Sequence, residues 1–492
     1  MERLVLEDGA AIEPKDEAFC KRLQNDLMDQ NKAGGIIVPK DWFPNWGNRK
    51  IGKLELFGYF QKTYRVQRFV GFLGFEGRQV LIHPRFDKTG ALFRYMMTRL
   101  GLMPRLAWNH STDAEIGGFQ APLVYMFLRQ LKDAYSIGVY RQYQTFSYND
   151  TRPKGYINVP LHIRKNPVEN GCVAYSTREY TVDNPVNRLI LITWQYICED
   201  QALGKIAHRI IQTQPELYAP IRELNYQLNS PYIERKQVLQ IIRAASGPIT
   251  HHMHQRYERV RKTALLILKG VGPEQAANKG ESRVSGMLFP MDIMWEFFLE
   301  KTVLSFDRKH IEVSSQETFD ILITEGGVPL RSMKPDFLLQ QKGDKKVVAV
   351  LDAKYKKIWG SAYTYFPAGS ETDAGVSDDE EEDSDQDNRV YSEKRPWKDA
   401  RIREDSFQVM SYMHVTHAKT GGILFPMVTK EKTLPVKKLR LYQNMEDRIL
   451  LIPVCLPEET GNFDTYRAEM DERCALLQEE LKELFSLNDQ DA

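Results

Sequence analysis

The stretch from Lys334 to Tyr355, KPDFLLQQKGDKKVVAVLDAKY, limits the possible folds more than any other part of the chain. Two runs of strand-forming residues flank a Lys-Gly-Asp-Lys turn at Lys342 to Lys345, which reads as a β-hairpin. The second run, Val347 to Leu351, is apolar without alternation, the pattern of a strand covered on both faces. Yet the run continues into Asp352 and Lys354. A strand repeats every two residues, so these two side chains leave the same face. Asp336, opening the preceding strand, can come alongside. Charge on a covered strand is costly unless it is paired or binds a metal, so three charges at one end of this hairpin point to a site.

These residue types suit phosphodiester hydrolysis. Asp336 and Asp352 offer hard oxygens to Mg²⁺, with Mn²⁺ as a substitute, and the carbonyl of Ala353 adds another ligand. A metal lowers the pKa of bound water and offsets phosphate charge. Lys354 can orient or deprotonate the attacking water and stabilise the transition state. The set resembles the PD-(D/E)xK nuclease signature, a pattern short enough to arise by chance as a salt-bridge cluster. Two further features strengthen it. Glu296 sits among Trp295, Phe297 and Phe298 in the helix-forming stretch FPMDIMWEFFLEKTV, where an acid joins the metal cluster in nucleases of this kind. Gln408 and Tyr412 lie one helical turn apart on one face, similar to the QxxxY helix of RecB-like nucleases, which contacts the site and the DNA backbone. The elements follow in the order helix-Glu, PD, DxK, QxxxY.

Around the hairpin, 492 residues allow two or three domains. The expected class is α+β multidomain. Residues 1–150 read as β-rich, with two strands inside Val66 to Pro84 joined at Glu76-Gly77. Residues 151–280 read as mostly helical, and the polar, Gly-containing stretch Gly272 to Ser285 marks a boundary. Residues 281–492 read as an α/β restriction-endonuclease-like core with a helix at Met291 to Phe306. That core carries an acidic insert at about 367–390, whose run Glu371 to Asp387 has the composition of disorder. The net charge of +1 excludes a chain that is basic overall, so any DNA contact must be a local patch. Five scattered cysteines without a CxxC pair exclude a disulfide framework and a structural zinc site. An acidic N-terminus and the lack of a long apolar run favour a cytoplasmic protein with no membrane contact.

Beyond the hairpin, the chain resembles the McrC family, the nuclease subunits of McrBC-type restriction systems. Phe69-Val70-Gly71-Phe72-Leu73 with Val80 to Arg85 is similar to that family's "YVG…IxPK" segment. Lys154-Gly155-Tyr156-Ile157 and the run Tyr180 to Leu189, YTVDNPVNRL, match two more of its segments. Met291-Asp292 to Glu296 resembles its "DMxxLFExF" helix. Asp405 to Tyr412 resembles "DLYQMxxY", with Ser406-Phe407 in place of Leu-Tyr. The acidic insert departs from the family pattern. The resemblance implies an endonuclease subunit in anti-phage defence, cleaving double-stranded DNA with Mg²⁺. Its N-terminal part would dock on a McrB-like AAA+ hexamer and stimulate hydrolysis of NTP, GTP being usual. No GxxxxGK[ST] loop occurs here, so no nucleotide is expected on this chain. Arg141, Arg152 and Arg164 are candidates for stimulating the partner, although any one of them is more often an ordinary surface residue.

Three other features have weaker readings. His251, His252 and His254 suit a helix cap better than a metal site. Trp359, Tyr363 and Tyr365 can stack on DNA or pack internally. Lys356 and Lys357 extend a basic run beside Lys354 and can meet phosphate. Two alternative functions remain: a stand-alone repair or recombination nuclease, and a non-cleaving activator scaffold of an AAA+ ring.

Overall fold

The computed structural model describes residues 2–28, 35–37, 55–60, 63–87, 89–104, 114–168, 170–229, 235–270, 284–306, 310–325, 328–343, 345–365, 397, 399–441, 446–458 and 462–485. The acidic insert lies outside them. The architecture is mixed α+β, as expected, and no helix among the described residues is long and apolar enough to cross a membrane.

The chain opens with β1 (Glu2–Glu7), α1 (Pro14–Met28), β2 (Gly35–Ile37) and a hairpin of β3 (Phe57–Phe60) and β4 (Thr63–Val66). Strands β5 (Phe69–Phe75) and β6 (Arg78–His83) follow. They turn at Glu76 and Gly77, whose φ values of 48° and 76° are the left-handed backbone that a tight hairpin requires. Strand β1 pairs parallel to β6, and β5 pairs antiparallel to β6. Helix α1 covers this sheet with Phe19, Leu23 and Leu27, all buried.

A helical layer comes next, formed by α2 (Ala91–Arg99) and the long α3 (Ala114–Tyr135). It is interrupted by β7 (Gln142–Asp150), β8 (Tyr156–Ile157), α4 (Val159–Lys165) and β9 (Val173–Thr181). These three strands form their own antiparallel sheet, with β9 between β7 and β8. The helices resume with α5 (Pro185–Glu199), α6 (Gln201–Thr213), α7 (Ala219–Leu228), α8 (Arg235–Ala244) and α9 (Gln255–Gly270). Asn184 caps α5 by accepting from Asn187 N, and Pro185 fits the first turn. Helix α3 packs on α6, α7 and α9, so the helical layer begins well before residue 151.

The third region departs from its expected start at residue 281. Strand β10 (Ser285–Pro290) inserts between β5 and β2 in the first sheet. Gly71 and Gly286 permit this pairing. A Cβ on Gly71 would lie 2.0 Å from Met287 O, and one on Gly286 would lie 2.2 Å from Phe72 O. A long-range pairing of this kind leaves no local pattern in the sequence. From β10 the chain passes directly into α10 (Met291–Lys301).

The remaining elements are β11 (Ile311–Ser315), a hairpin of β12 (Phe319–Ile323) and β13 (Pro329–Met333), then β14 (Phe337–Gln341) and β15 (Val347–Ala353). They continue with α11 (Lys357–Thr364), α12 (Ala400–Thr416), β16 (Thr420–Val428), β17 (Lys437–Arg440), β18 (Arg448–Leu456) and α13 (Phe463–Phe485). A six-stranded sheet runs β11-β14-β15-β16-β18-β17, with β15, β16 and β18 mutually parallel. Alternate residues face opposite ways. Ile423, Phe425, Ile449 and Leu451 meet Trp359, Val409 and Met413 of α11 and α12. Leu351, Leu424, Leu450 and Ile452 join the large core shared with α10 and α13. The sheet is mixed, and its parallel centre of β15, β16 and β18 is covered on both faces.

Candidate active site

Strand β15 ends at the carboxyl edge of the parallel strands, where side chains of open α/β sheets gather around ligands. Leu351 faces the large core, so Asp352 faces α12. Asp352 is 1% exposed, and Lys354 Nζ lies 2.6 Å from its Oδ2. That oxygen is buried and has no aligned hydrogen bond, leaving lone-pair capacity unused. Asp336, just before β14, accepts from Ala353 N at 2.8 Å through Oδ2. The hairpin ladder pairs Phe337 with Leu351, which brings the two aspartates side by side.

Both carboxyls are pushed up from the ordinary range. Burial raises Asp336 to about 7, aided by the charge of Glu296. Burial again leads for Asp352, with the negative charge of Asp336 second, and carries it well above the usual value. Two adjacent covered carboxylates repel each other, which a cation would relieve. Lys354 behaves oppositely. Burial disfavours its charge, but Asp352, Asp405 and Asp336 outweigh burial and raise its pKa. It therefore stays protonated in this arrangement.

Glu296, on α10, is half-buried and reaches the cluster through a glutamine. Gln316 Nε2 donates to Glu296 Oε2 at 3.4 Å and to Asp336 Oδ1 at 3.2 Å. Its own backbone N donates to Asp336 O. Gln316 was not among the residues singled out from the sequence. It follows β11 with φ 59°, a left-handed residue that turns its side chain inward, and no spacing rule marks such a position.

Helix α12 supplies the opposite wall. Gln408 Oε1 accepts from Lys354 Nζ at 2.8 Å, and Gln408 Nε2 donates to Tyr412 Oη at 2.5 Å. Burial and the charge of Asp352 push the Tyr412 hydroxyl up to about 12. Thus Asp336, Asp352, Lys354, Gln408 and Tyr412 form one contiguous set, with Glu296 joined to it. Asp405, one turn before Gln408, is also buried and binds Lys356 Nζ at 2.8 Å and Trp359 Nε1 at 3.0 Å. Its Oδ1 lies 3.4 Å from Lys354 Nζ. Asp405 opens the Asp405 to Tyr412 segment, yet only the fold reveals that it steadies both lysines.

The weaker candidates also have places. Lys356 is committed to Asp405, and the more exposed Lys357 pairs with Glu7. Trp359 and Tyr363 are core residues, while Tyr365 is exposed. His252 and His254 lie in a 3-10 turn before α9, with His254 against Tyr140. Among the described residues no three His, Cys, Asp or Glu side chains are grouped closely enough to hold a metal alone. Asp336 and Asp352 still fit a hard cation. Mg²⁺ commonly takes one or two carboxylates, filling its octahedron with water and substrate phosphate.

A pair of cations flanks this set. Arg331 and Lys334 are exposed, make no ion pair among the described residues, and line a groove with Phe407, Gln408, Ser411 and Tyr412. Glu404 shares its rim.

Comparison with known proteins agrees with the sequence resemblance. Two solved structures from Thermococcus gammatolerans are similar. A half-complex refined from a tetradecameric assembly of McrB AAA+ hexamers with bound McrC is 14% identical, covering 98% of this chain and 100% of that one, with a TM-score of 0.48. The McrBC complex of the same organism is 15% identical, covering 61% of this chain and 86% of that one, with a TM-score of 0.27. No protein of curated function matches. The model of one sequence family, described as "McrBC 5-methylcytosine restriction system component", matches residues 64–372, which is more than half of the chain and includes Glu296, Asp336, Asp352 and Lys354. The chain therefore belongs to the McrBC 5-methylcytosine restriction system component family.

Proposed function

We propose that this chain is the McrC-like endonuclease subunit of a McrBC-type system, cleaving DNA by Mg²⁺-dependent phosphodiester hydrolysis through a PD-(D/E)xK core. The observation that carries the reading is the contact set of Asp336, Lys354 and Gln408 around the buried Asp352 at the carboxyl end of the parallel strands. Asp336 and Asp352 would hold the metal, with the Ala353 carbonyl beside them and Glu296 behind Gln316. When bound, the metal supplies a more acidic water and offsets phosphate charge.

The chain's own residues do the rest. Lys354, held by Asp352 and Gln408, presents a fixed positive charge toward the phosphate. Its raised pKa suits electrostatic stabilisation better than proton abstraction. Gln408 and Tyr412 orient that ammonium from α12. Arg331 and Lys334, on the groove wall, suit the DNA backbone, because unpaired cations meet phosphates without reading sequence.

The partner in this reading is a McrB-like AAA+ hexamer that burns GTP and reads the modified base. The support is the sheet of β7, β8 and β9, which is exposed along most of its length. It carries Tyr143, Tyr156, Ile157 and Tyr180 at 50% exposure or more. Arg141, Arg152 and Arg164 stand on or beside it, all exposed. An aromatic and arginine-rich projection of this kind is what a protein interface favours.

Cleavage of methylated and unmethylated duplex by the full chain, with its AAA+ partner, GTP and Mg²⁺, tests the reading. Asp352→Asn and Lys354→Ala should each lower the cleavage rate by at least about 10²-fold while leaving stimulation of the GTPase. If either variant cuts at the wild-type rate, the site is wrong. If the wild-type chain stimulates the GTPase but never cuts, the scaffold reading replaces this one.

A further inference from the structure

The three residues after β15, Lys354 to Tyr355 to Lys356, form no regular structure, so their positions depend on what grips them. Lys354 N donates to Leu424 O at 2.8 Å, and Lys356 is tied to α12 through Asp405. The middle residue, Tyr355, is held from the first sheet. Arg85, two residues past β6, donates from Nη1 to Tyr355 O at 2.9 Å. The same guanidinium makes a two-pronged contact with Asp8, Nε to Oδ2 at 2.9 Å and Nη2 to Oδ1 at 2.7 Å. Its remaining face lies 5.3 Å from the centre of the Tyr355 ring.

The setting is unlike a surface ion pair. The Asp8 side chain has no exposed surface and that of Arg85 is 18% exposed. Gly9 makes room, since a Cβ there would meet Arg85 Cζ at 3.3 Å. The Tyr355 ring is wedged between Phe86, 5.0 Å away on the same turn as Arg85, and Trp295, 5.8 Å away. Trp295 is the neighbour of Glu296. One guanidinium thus joins the N-terminal strand, the β6 turn and the residue next to the lysine of the site. An arginine fork suits this task because it offers several donors in a fixed plane, which a lysine cannot.

We propose that Arg85, locked by Asp8, is a positioning residue for the nuclease: it fixes Tyr355 and so sets the height of Lys354 over Asp352. The inference rests on the reading of Asp336, Asp352 and Lys354 as the cleavage site. Arg85 touches neither DNA nor metal in this reading. Its effect should therefore fall on turnover rather than on binding.

The test uses the full chain with its AAA+ partner. Arg85→Lys keeps a positive charge against Asp8 but cannot hold Asp8 and Tyr355 O together. The double variant Asp8→Asn with Arg85→Gln removes the charges jointly, so no buried charge is left alone. Cleavage rate, DNA affinity (measured with Ca²⁺ in place of Mg²⁺) and melting temperature are read for each, with Asp352→Asn as the control. Both variants are expected to lose between about tenfold and about 100-fold in kcat, as misplacement by an ångström does. DNA affinity should stay within about twofold of the wild type, and the loss should persist when each variant is assayed equally far below its own melting point. Wild-type turnover in both variants beside an inactive Asp352→Asn overturns the positioning role and leaves the site intact. So does a loss that disappears at matched distance from melting. An Asp352→Asn variant that still cuts overturns the site itself, and this inference with it.

Discussion

At the scale of single residues, the site rests on two aspartates side by side, with Lys354 against one of them and Gln408 and Tyr412 facing them from α12. Asp352 and Lys354 share a face because a strand alternates, and Gln408 and Tyr412 share one because a helix returns after four residues. Gln316 and Asp405 stayed hidden as partners because their roles depend on where a loop and a helix land, not on spacing. The contact between Asp336 and Asp352 has a consequence for pH. In the metal-free protein, Asp336 is held up to about 7 against an ordinary value near 3.8. A raised carboxyl contributes stability that is fully present below its ordinary value and is lost as pH rises through about 7. The chelated protein should therefore be less stable at pH 8 than at pH 6, on the order of 1 kcal/mol from this group. Thermal melts in EDTA at the two pH values measure it. Asp336→Asn should flatten the difference and raise the melting point at pH 8 while abolishing cleavage. A variant that melts lower than the wild type at pH 8 contradicts the account.

At the scale of elements, the hairpin read from the sequence is β14 and β15, and Gln408 and Tyr412 stand on α12 as their spacing implied. Helix α10 ends at Lys301 and is followed by a 3-10 turn, so the expected helix to Phe306 was too long. Helices α1 and α3 are substantial elements of the first 150 residues beside its strands. Helix α12 bears Gln408, and its seat on β16 depends on a glycine. A Cβ on Gly421 would come within 2.6 Å of both Met413 Sδ and Val409 Cγ1. Methionine can move aside, but a valine on a packed helix has less room. Gly421→Ala should cost about 1–3 kcal/mol as overpacking, and it should reduce cleavage beyond the stability loss by lifting Gln408 from Lys354. Denaturant melts beside cleavage rates distinguish the two. A variant as stable and as active as the parent shows that the helix tolerates the shift.

At the scale of the whole molecule, the three regions read from the sequence are joined by contacts between distant parts of the chain. Helix α3 sits in the helical layer, β10 in the first sheet, and Arg85 on the loop beyond β15. Each is a contact between residues far apart in the chain, which neither composition nor period encodes. The projecting sheet of β7 to β9 has the opposite character, being local, exposed and well placed to act alone. Replacing Arg141, Arg152 and Arg164 together by alanine should abolish stimulation of the partner GTPase by at least about tenfold while leaving the melting temperature within a few degrees, because exposed side chains seldom affect stability. GTPase assays across a titration of the variant decide this, and undiminished stimulation means the ring docks elsewhere. The position of β10 bears on ancestry. Its residues Met287, Leu288 and Phe289 are fully covered between β5 and β2, and α10 with Glu296 begins at the next residue. A fragment cut at residue 281 would bring an unpaired apolar strand with it and should aggregate when expressed alone. A region that begins inside its neighbour's sheet cannot be traded between genes as a cassette, so the two regions should share one line of descent.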